Sequence, residues 1–173
     1  SVVQRNPQRF TARLEQVLGV PAQLESNRNA RAIAQVEIPL RTDVTLYADS
    51  SRVDLRLSFV NHACDHRLRL GIEVPGKTKH VWVESKFDVI RRPVDAPNEK
   101  WTQVPQGTNA QDGWAALDFG KRGVAVFNQG LPEYEVETRD GSMCYWVTIL
   151  RSVGWLSRGD MGFRPGHAGP GIA

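Results

Sequence analysis

From about residue 30 onward, apolar and polar residues trade places with a period of two. Val53, Leu55, Leu57 and Phe59 alternate with Arg52, Asp54, Arg56 and Ser58, and Leu68, Leu70, Ile72 and Val74 alternate with Arg67, Arg69 and Glu73. Successive side chains of a strand point to opposite faces, so each run predicts a strand with one covered and one solvated face. The connection between these two runs is Asn61 to His66. The same reading places strands at Ile33–Leu40, Asp43–Tyr47, His80–Glu84, Trp114–Phe119, Gly123–Asn128, Tyr134–Thr138 and Met143–Leu150. Turn chemistry separates them at Asp49-Ser-Ser51, Pro75-Gly76, Gly120-Lys-Arg-Gly123, Gly130-Leu-Pro132 and Asp140-Gly141.

Met143-Cys-Tyr-Trp-Val-Thr-Ile-Leu150 breaks the alternation, being apolar at nearly every position. Both its faces must then be covered, which puts it at the centre of a two-layer structure. Many antiparallel strands, short turns and one doubly buried strand predict a mainly β fold, an antiparallel β-sandwich. The N-terminus reads differently. Asn6-Pro7 has the form of an N-cap and first helical residue, and Phe10, Leu14, Val17 and Leu18 follow at helical spacing until Gly19 and Pro21, so one short N-terminal helix is expected. The expected division is a linker carrying that helix at 1–29 and a sandwich domain at 30–173. Asp95 to Gln111, with Pro97, Pro105 and Gly107, reads as a long loop in which Trp101 is a packing anchor.

The chain has 173 residues, two-fifths of them apolar, which suffices for one domain with a real core. No apolar run approaches the roughly 18 residues of a membrane span, and no signal-peptide pattern opens the sequence, so a cytoplasmic protein without membrane contact is expected. The net charge of +3 would draw nucleic acid only if concentrated on one face. Arg52-Val-Asp-Leu-Arg56 and Arg67-Leu-Arg-Leu-Gly-Ile-Glu73 interleave both signs instead, so no nucleic-acid partner is expected. Cys64 and Cys144 lie far apart without CxxC spacing and read as free thiols.

Glycoside hydrolysis needs two carboxyl groups flanking the scissile bond, about 5 Å apart for retention and farther for inversion. Glu84, Asp88, Asp112, Asp118, Glu133, Glu135 and Asp160 are available, but no motif singles out a pair. His62, Cys64, Asp65 and His66 crowd one connection and have the ligand types for zinc, yet histidines four apart share a face only on a helix, so a structural role is favoured. Gly-x-Ser-x-Gly, Walker and dinucleotide patterns are absent. The segment Arg158-Gly-Asp-Met-Gly-Phe-Arg-Pro-Gly-His-Ala-Gly-Pro170 is the richest polar cluster. Arg158, Asp160, Arg164 and His167 offer fork donors, an acceptor and a titratable ring suited to sugar hydroxyls.

Asp112-Gly-Trp-Ala-Ala-Leu-Asp-Phe-Gly-Lys-Arg-Gly-Val-Ala-Val-Phe-Asn-Gln-Gly-Leu-Pro-Glu-Tyr-Glu-Val136, Leu150-Arg-Ser-Val-Gly-Trp-Leu-Ser-Arg158 and Arg164-Pro-Gly-His-Ala-Gly-Pro170 together resemble the β-domain in the C-terminal region of bacterial family 38 glycoside hydrolases, the zinc-dependent α-mannosidases. Asn61-His-Ala-Cys-Asp-His-Arg-Leu-Arg-Leu70 and Phe87-Asp-Val-Ile-Arg-Arg-Pro93 fall in the matching order, so the resemblance runs from about Ile33 to the C-terminus. It implies a galactose-mutarotase-like supersandwich, non-catalytic by itself, that supports and partly lines the active site of its own catalytic domain. The aspartate nucleophile and the zinc ligands of such enzymes lie upstream of this domain, and none can be matched here, so no catalytic residue and no metal ligand is assigned. Zinc is implied for the parent enzyme only. The resemblance gives substrate contacts to the loop holding Arg158, Asp160, Arg164 and His167, Arg164 first, with α-mannoside glycans as ligands. It also implies further strands beyond Ala173, so an incomplete sandwich with a tendency to form homo-oligomers is expected. The alternative is a stand-alone lectin-like sandwich that binds glycans through Trp82, Trp101, Trp114 or Trp155.

Overall fold

The computed structural model describes residues 1–95, 107–157 and 169–170, the strands at 155–157 and 169–170 as backbone alone. Every regular element among the described residues is a strand. The chain forms two compact units: residues 1–66 with the described residues from 152 onward, and Arg67–Arg151.

The first unit is built on β1 (Val2–Asn6), β2 (Arg9–Pro21), β3 (Gln35–Tyr47) and β4 (Val53–Phe59), joined in that order into one antiparallel sheet. This overturns the expected N-terminal helix. Asn6 Oδ1 accepts hydrogen bonds from the backbone N–H groups of Gln8 (3.0 Å) and Arg9 (2.8 Å). An asparagine makes the same local bonds in a tight turn as at a helix cap, and here they close the β1–β2 hairpin. Beyond the turn, β2 pairs with β3 along its whole length, from Arg9↔Tyr47 to Pro21↔Gln35. Phe10, Leu14 and Leu18 are four apart, a spacing that suits one helical face and equally one strand face. Val17, the residue of odd parity, stands 60% exposed on the opposite side.

The second unit is the sandwich. Its strands are β5 (His66–Pro75), β6 (His80–Glu84), β7 (Val89–Pro93), β8 (Thr108–Ala110), β9 (Trp114–Asp118), β10 (Gly123–Phe127), β11 (Glu133–Thr138) and β12 (Ser142–Ser152). They make two four-stranded sheets, β10-β9-β6-β7 and β5-β12-β11-β8. Two short strands, β13 (Trp155–Ser157) and β14 (Gly169–Pro170), pair with each other. The strands expected in this unit are found with close boundaries, while β7 was not expected and β8 forms at the end of the segment read as a loop. In the first unit the two strands expected at Ile33–Leu40 and Asp43–Tyr47 are one, β3. Alternate residues of both sheets meet between them: Val81, Val83, Ala115 and Leu117 from one, Val74, Tyr134, Met143, Tyr145 and Val147 from the other. All are buried.

Tyr134 and Tyr145 stack at the core, ring centroids 5.7 Å apart and planes within 6°. Tyr145 Oη donates to Gln111 Oε1 at 2.5 Å, and Gln111 Nε2 donates to the Leu131 carbonyl at 3.0 Å, so a buried amide is satisfied at both ends. Burial favours the neutral phenol. It raises Tyr145 well above the ordinary tyrosine value and pushes Tyr134 up to about 12. A proton held more tightly in the folded state stabilises it fully below the unfolded value of 10.0 and progressively less as pH rises through the folded one. Stability is therefore expected to fall between pH 10 and about 12, followed by near-ultraviolet circular dichroism. Tyr145→Phe, which leaves Gln111 Oε1 without its donor, is expected to cost about 1–3 kcal/mol in urea unfolding at neutral pH.

Candidate functional site

Arg158, Asp160, Arg164 and His167 lie outside the described residues, as does Trp101. The crowded connection between β4 and β5 is described, and there Asp65 is bound to backbone. Its Oδ1 accepts from Gly154 N–H (2.9 Å), and its Oδ2 lies 3.5 Å from Leu24 N. Asp65 sits at φ 55°, a conformation an aspartate tolerates at local cost, and its carbonyl accepts from Arg31 Nη1 at 2.6 Å. Cys64 is exposed, with its backbone N–H bonded to Ala22 O (2.7 Å). The segment is thus a set of backbone clamps. Among the described residues no three His, Cys, Asp or Glu side chains come together as a metal site.

The β1–β4 sheet separates its chemistry by face. On one side Arg13 forks onto Asp43 (2.7 and 2.8 Å), and Tyr47 Oη (2.7 Å) and Arg52 (2.6 Å) donate to Asp54. These pairs flank a basin of about 310 Å³ lined by Arg9, Thr11, Asp43, Thr45, Asp54 and Arg56. Hydrogen bonds from Arg13 hold Asp43 below the usual carboxylate range, and those from Arg52 and Tyr47 do the same for Asp54. A glycosidase acid needs the opposite shift, so this pair cannot supply the proton donor. The other face carries Phe10, Leu14, Leu46, Val53 and Leu55, all exposed, with Leu14 at 54%. Apolar side chains facing outward together mark a surface that another element covers.

In the second unit, the outer face of β5-β12-β11-β8 is a lid of paired charges. Arg67 contacts Glu133 (3.2 Å) and Glu135 (3.5 Å), Arg69 contacts Glu135 (2.7 Å), and Arg151 contacts Glu133 (2.5 Å). Beneath them Trp146 lies under two guanidinium groups, Arg69 at 4.6 Å and Arg139 at 5.7 Å from the ring centre. Gly71 makes room for the indole, since a Cβ there would fall 2.6 Å from its ring. Partial burial raises the Glu133 carboxyl, but donation from Thr148 (2.6 Å), Arg151 and Arg67 outweighs that and leaves it lowered. Cys144 is buried on the same face, and desolvation raises its thiol.

The outer face of β10-β9-β6-β7 is built otherwise. Val81, Val83, Ala115 and Leu117 point to the core, so strand parity sends Trp82, Trp114 and Ala116 outward, and Ala125 and Phe127 of β10 with them. Trp114 pairs with Phe127 across the β9–β10 ladder, ring centroids 6.3 Å apart. Trp82 pairs with Ala116 and is thereby the diagonal neighbour of Trp114. Phe127 is 74% exposed and Trp82 39%. The sequence reading named Trp82 and Trp114; it missed Phe127 and Arg91, whose guanidinium sits 5.7 Å from the Trp82 ring centre.

With two antiparallel sheets and these faces in view, the likeness to known proteins is specific. The fold superposes on an α-mannosidase from Enterococcus faecalis V583 with TM-score 0.79 over 91% of this chain, at 23% identity. A second Enterococcus faecalis structure, of a protein in glycosyl hydrolase family 38, gives TM-score 0.76 over 91% of this chain at 22% identity. The chain shares the fold of the matching part of both proteins. A Halalkalibacterium halodurans protein provisionally named a mannosylglycerate hydrolase is 28% identical over 93% of this chain. The chain spans 19% of the length of each of these proteins. No family model matches it.

Glu133→Gln removes the charge that holds Arg67 and Arg151 to one spot on the sandwich. Both arginines keep some solvent, side chains 29% and 48% exposed, so the expected loss at neutral pH is about 1 kcal/mol rather than the several of a buried pair. The lowered carboxyl stabilises the fold above its unfolded value of 4.5 and ceases to as pH falls through the folded one. Urea curves of variant and wild type are therefore expected to converge in acid.

Proposed function

We propose that this chain is the non-catalytic β-sandwich portion of a retaining, zinc-dependent α-mannosidase, and that it supports and partly lines the active site of that enzyme's catalytic domain. The observation that carries the reading is the match of nine-tenths of the chain to a fifth of an α-mannosidase. The outward apolar side chains on the β1–β4 sheet support docking on the parent's own catalytic domain, since Phe10, Leu14 and Leu46 stand exposed in this chain and such contact would remove them from water. Zinc does not fit the described residues, which offer no three-ligand cluster, so no step of the reaction passes through a metal held here. A role for this chain is to shape the sugar pocket: Arg158 and Arg164 as fork donors, Asp160 as acceptor, His167 as donor or acceptor. The proposed setting is cytoplasmic.

The name of the Halalkalibacterium halodurans relative favours a second substrate reading, a mannosylglycerate rather than a larger α-mannoside glycan. Both readings share the mannoside and differ in what the arginines would meet.

The complete protein is expected to hydrolyse an aryl α-mannoside, to lose this activity to a chelator and to regain it with zinc, while the 173-residue chain alone turns nothing over. Absence of turnover by the complete protein on both the aryl α-mannoside and mannosylglycerate would refute the reading. Arg164→Ala in the complete protein is expected to lower kcat/KM about 10- to 100-fold, the effect of losing one charge-assisted substrate contact, with the melting temperature nearly unchanged.

A further inference from the structure

We infer that the outer face of the β10-β9-β6-β7 sheet is a carbohydrate-binding surface, separate from the proposed active-site loop, on which Trp82, Trp114 and Phe127 stack against pyranose rings. Trp114 and Phe127 lie side by side in one row across β9 and β10, and Trp82 stands one row away on β6, diagonal to Trp114. Directly paired residues of an antiparallel sheet stand about 5 Å apart and diagonal ones about 7–8 Å, so the rings follow one another at the scale of linked sugar units. Beside them Ala116 and Ala125, paired with each other across β9 and β10, continue the row of Trp82 with small side chains. A pyranose has C–H groups on its faces and hydroxyls at its rim, and it binds best where a ring meets its face and polar groups meet its edge.

The polar edge is present. Arg91 Nη2 donates to His80 Nδ1 at 2.9 Å, and since arginine has no acceptor, the ring proton of a neutral His80 is on Nε2. Glu84 accepts the Gly113 N–H through Oε2 (2.9 Å), and Gly113 has no Cβ because one would lie 2.7 Å from that oxygen. Its carboxylate is thereby fixed in the row that contains Trp114 and Phe127. Asp118, at the opposite end of β9, has Oδ1 engaged by the Gly120 N–H at 2.8 Å and extends the acceptor rim.

A protein partner suits this surface poorly. The core of a protein interface is depleted of charge, whereas here His80, Glu84, Arg91 and Asp118 stand among the rings. The contrast with the β1–β4 sheet, whose outward face is apolar from Phe10 to Leu55, is sharp within one molecule.

The test is a tryptophan-fluorescence titration of the chain with α-mannotriose and, in parallel, cellotriose. A saturable change is expected with at least one of them, with affinity falling about tenfold in both Phe127→Ala and Trp82→Ala, the loss of one stacked ring. Phe127 is exposed enough that its replacement leaves folding intact, and circular dichroism checks both variants. Binding of α-mannotriose links the surface to the proposed mannosidase. Binding of cellotriose alone upholds the surface while counting against that link, so the two readings fail separately. No saturable change with either sugar, or affinities unmoved in both variants, overturns the inference. So does a large drop in melting temperature of the complete protein carrying Phe127→Ala, which would assign the face to packing.

Discussion

A strand that is covered on both faces has no freedom to slide, and β12 imposes that constraint on the second unit. Met143, Tyr145 and Val147 enter the sandwich while Cys144 and Thr148 are buried on the opposite face. Slipping β12 by one residue would exchange these sets, sending Trp146 and Thr148 into the core and Met143, Tyr145 and Val147 outward. The core therefore needs something to cover the outer face of the same strand, and the sequence supplies long charged side chains rather than apolar ones. Arg67 and Arg69 from β5 and Glu133, Glu135 and Glu137 from β11 lie over it with their ends paired, the Arg69 guanidinium over the Trp146 ring. Such a cover satisfies its own polar groups and still presents a wettable surface.

The three outward sheet faces follow from the same alternation and differ in what each admits. Over β12 the arginines and glutamates are engaged with one another. The exposed leucines and valines of the β1–β4 sheet ask for an apolar partner. The face with Trp82, Trp114 and Phe127 sets exposed rings beside fixed polar groups, which is what recognition of an amphipathic ring requires. Parity alone decides this allocation, since the inward residues of β6 and β9 are the small and branched ones that the core can pack.

Where alternation is strict, the chain announces its fold. Val53–Phe59 and His80–Glu84 are strands with the boundaries that period two assigns, and the apolar run from Met143 is the central strand. The N-terminal hairpin was illegible for a physical reason: Asn6 makes the same side-chain bonds at a turn as at a helix cap, and residues four apart satisfy both periods. β7 and β8 are short, and Thr108–Ala110 has no apolar pattern, being held by its ladder with β11. Of the binding surfaces, Trp82 and Trp114 could be read as outward from the parity of Val81, Val83, Ala115 and Leu117. Arg91 and Phe127 could not be ranked without the register that sets them beside those rings. The polar cluster from Arg158 was visible only as composition and resemblance.

The pairing of β5 with β12 joins residues near the start of the second unit to residues near its end. As the chain leaves the ribosome, β6–β7, β9–β10 and β11–β12 can each close locally, but β5 waits with Leu70, Ile72 and Val74 uncovered until the last of them arrives. The same arrangement makes the finished unit tolerant of a cut in any intervening connection. Both ends of the break would belong to strands already held by neighbours on either side of it, so a nicked molecule would stay in one piece until it unfolds.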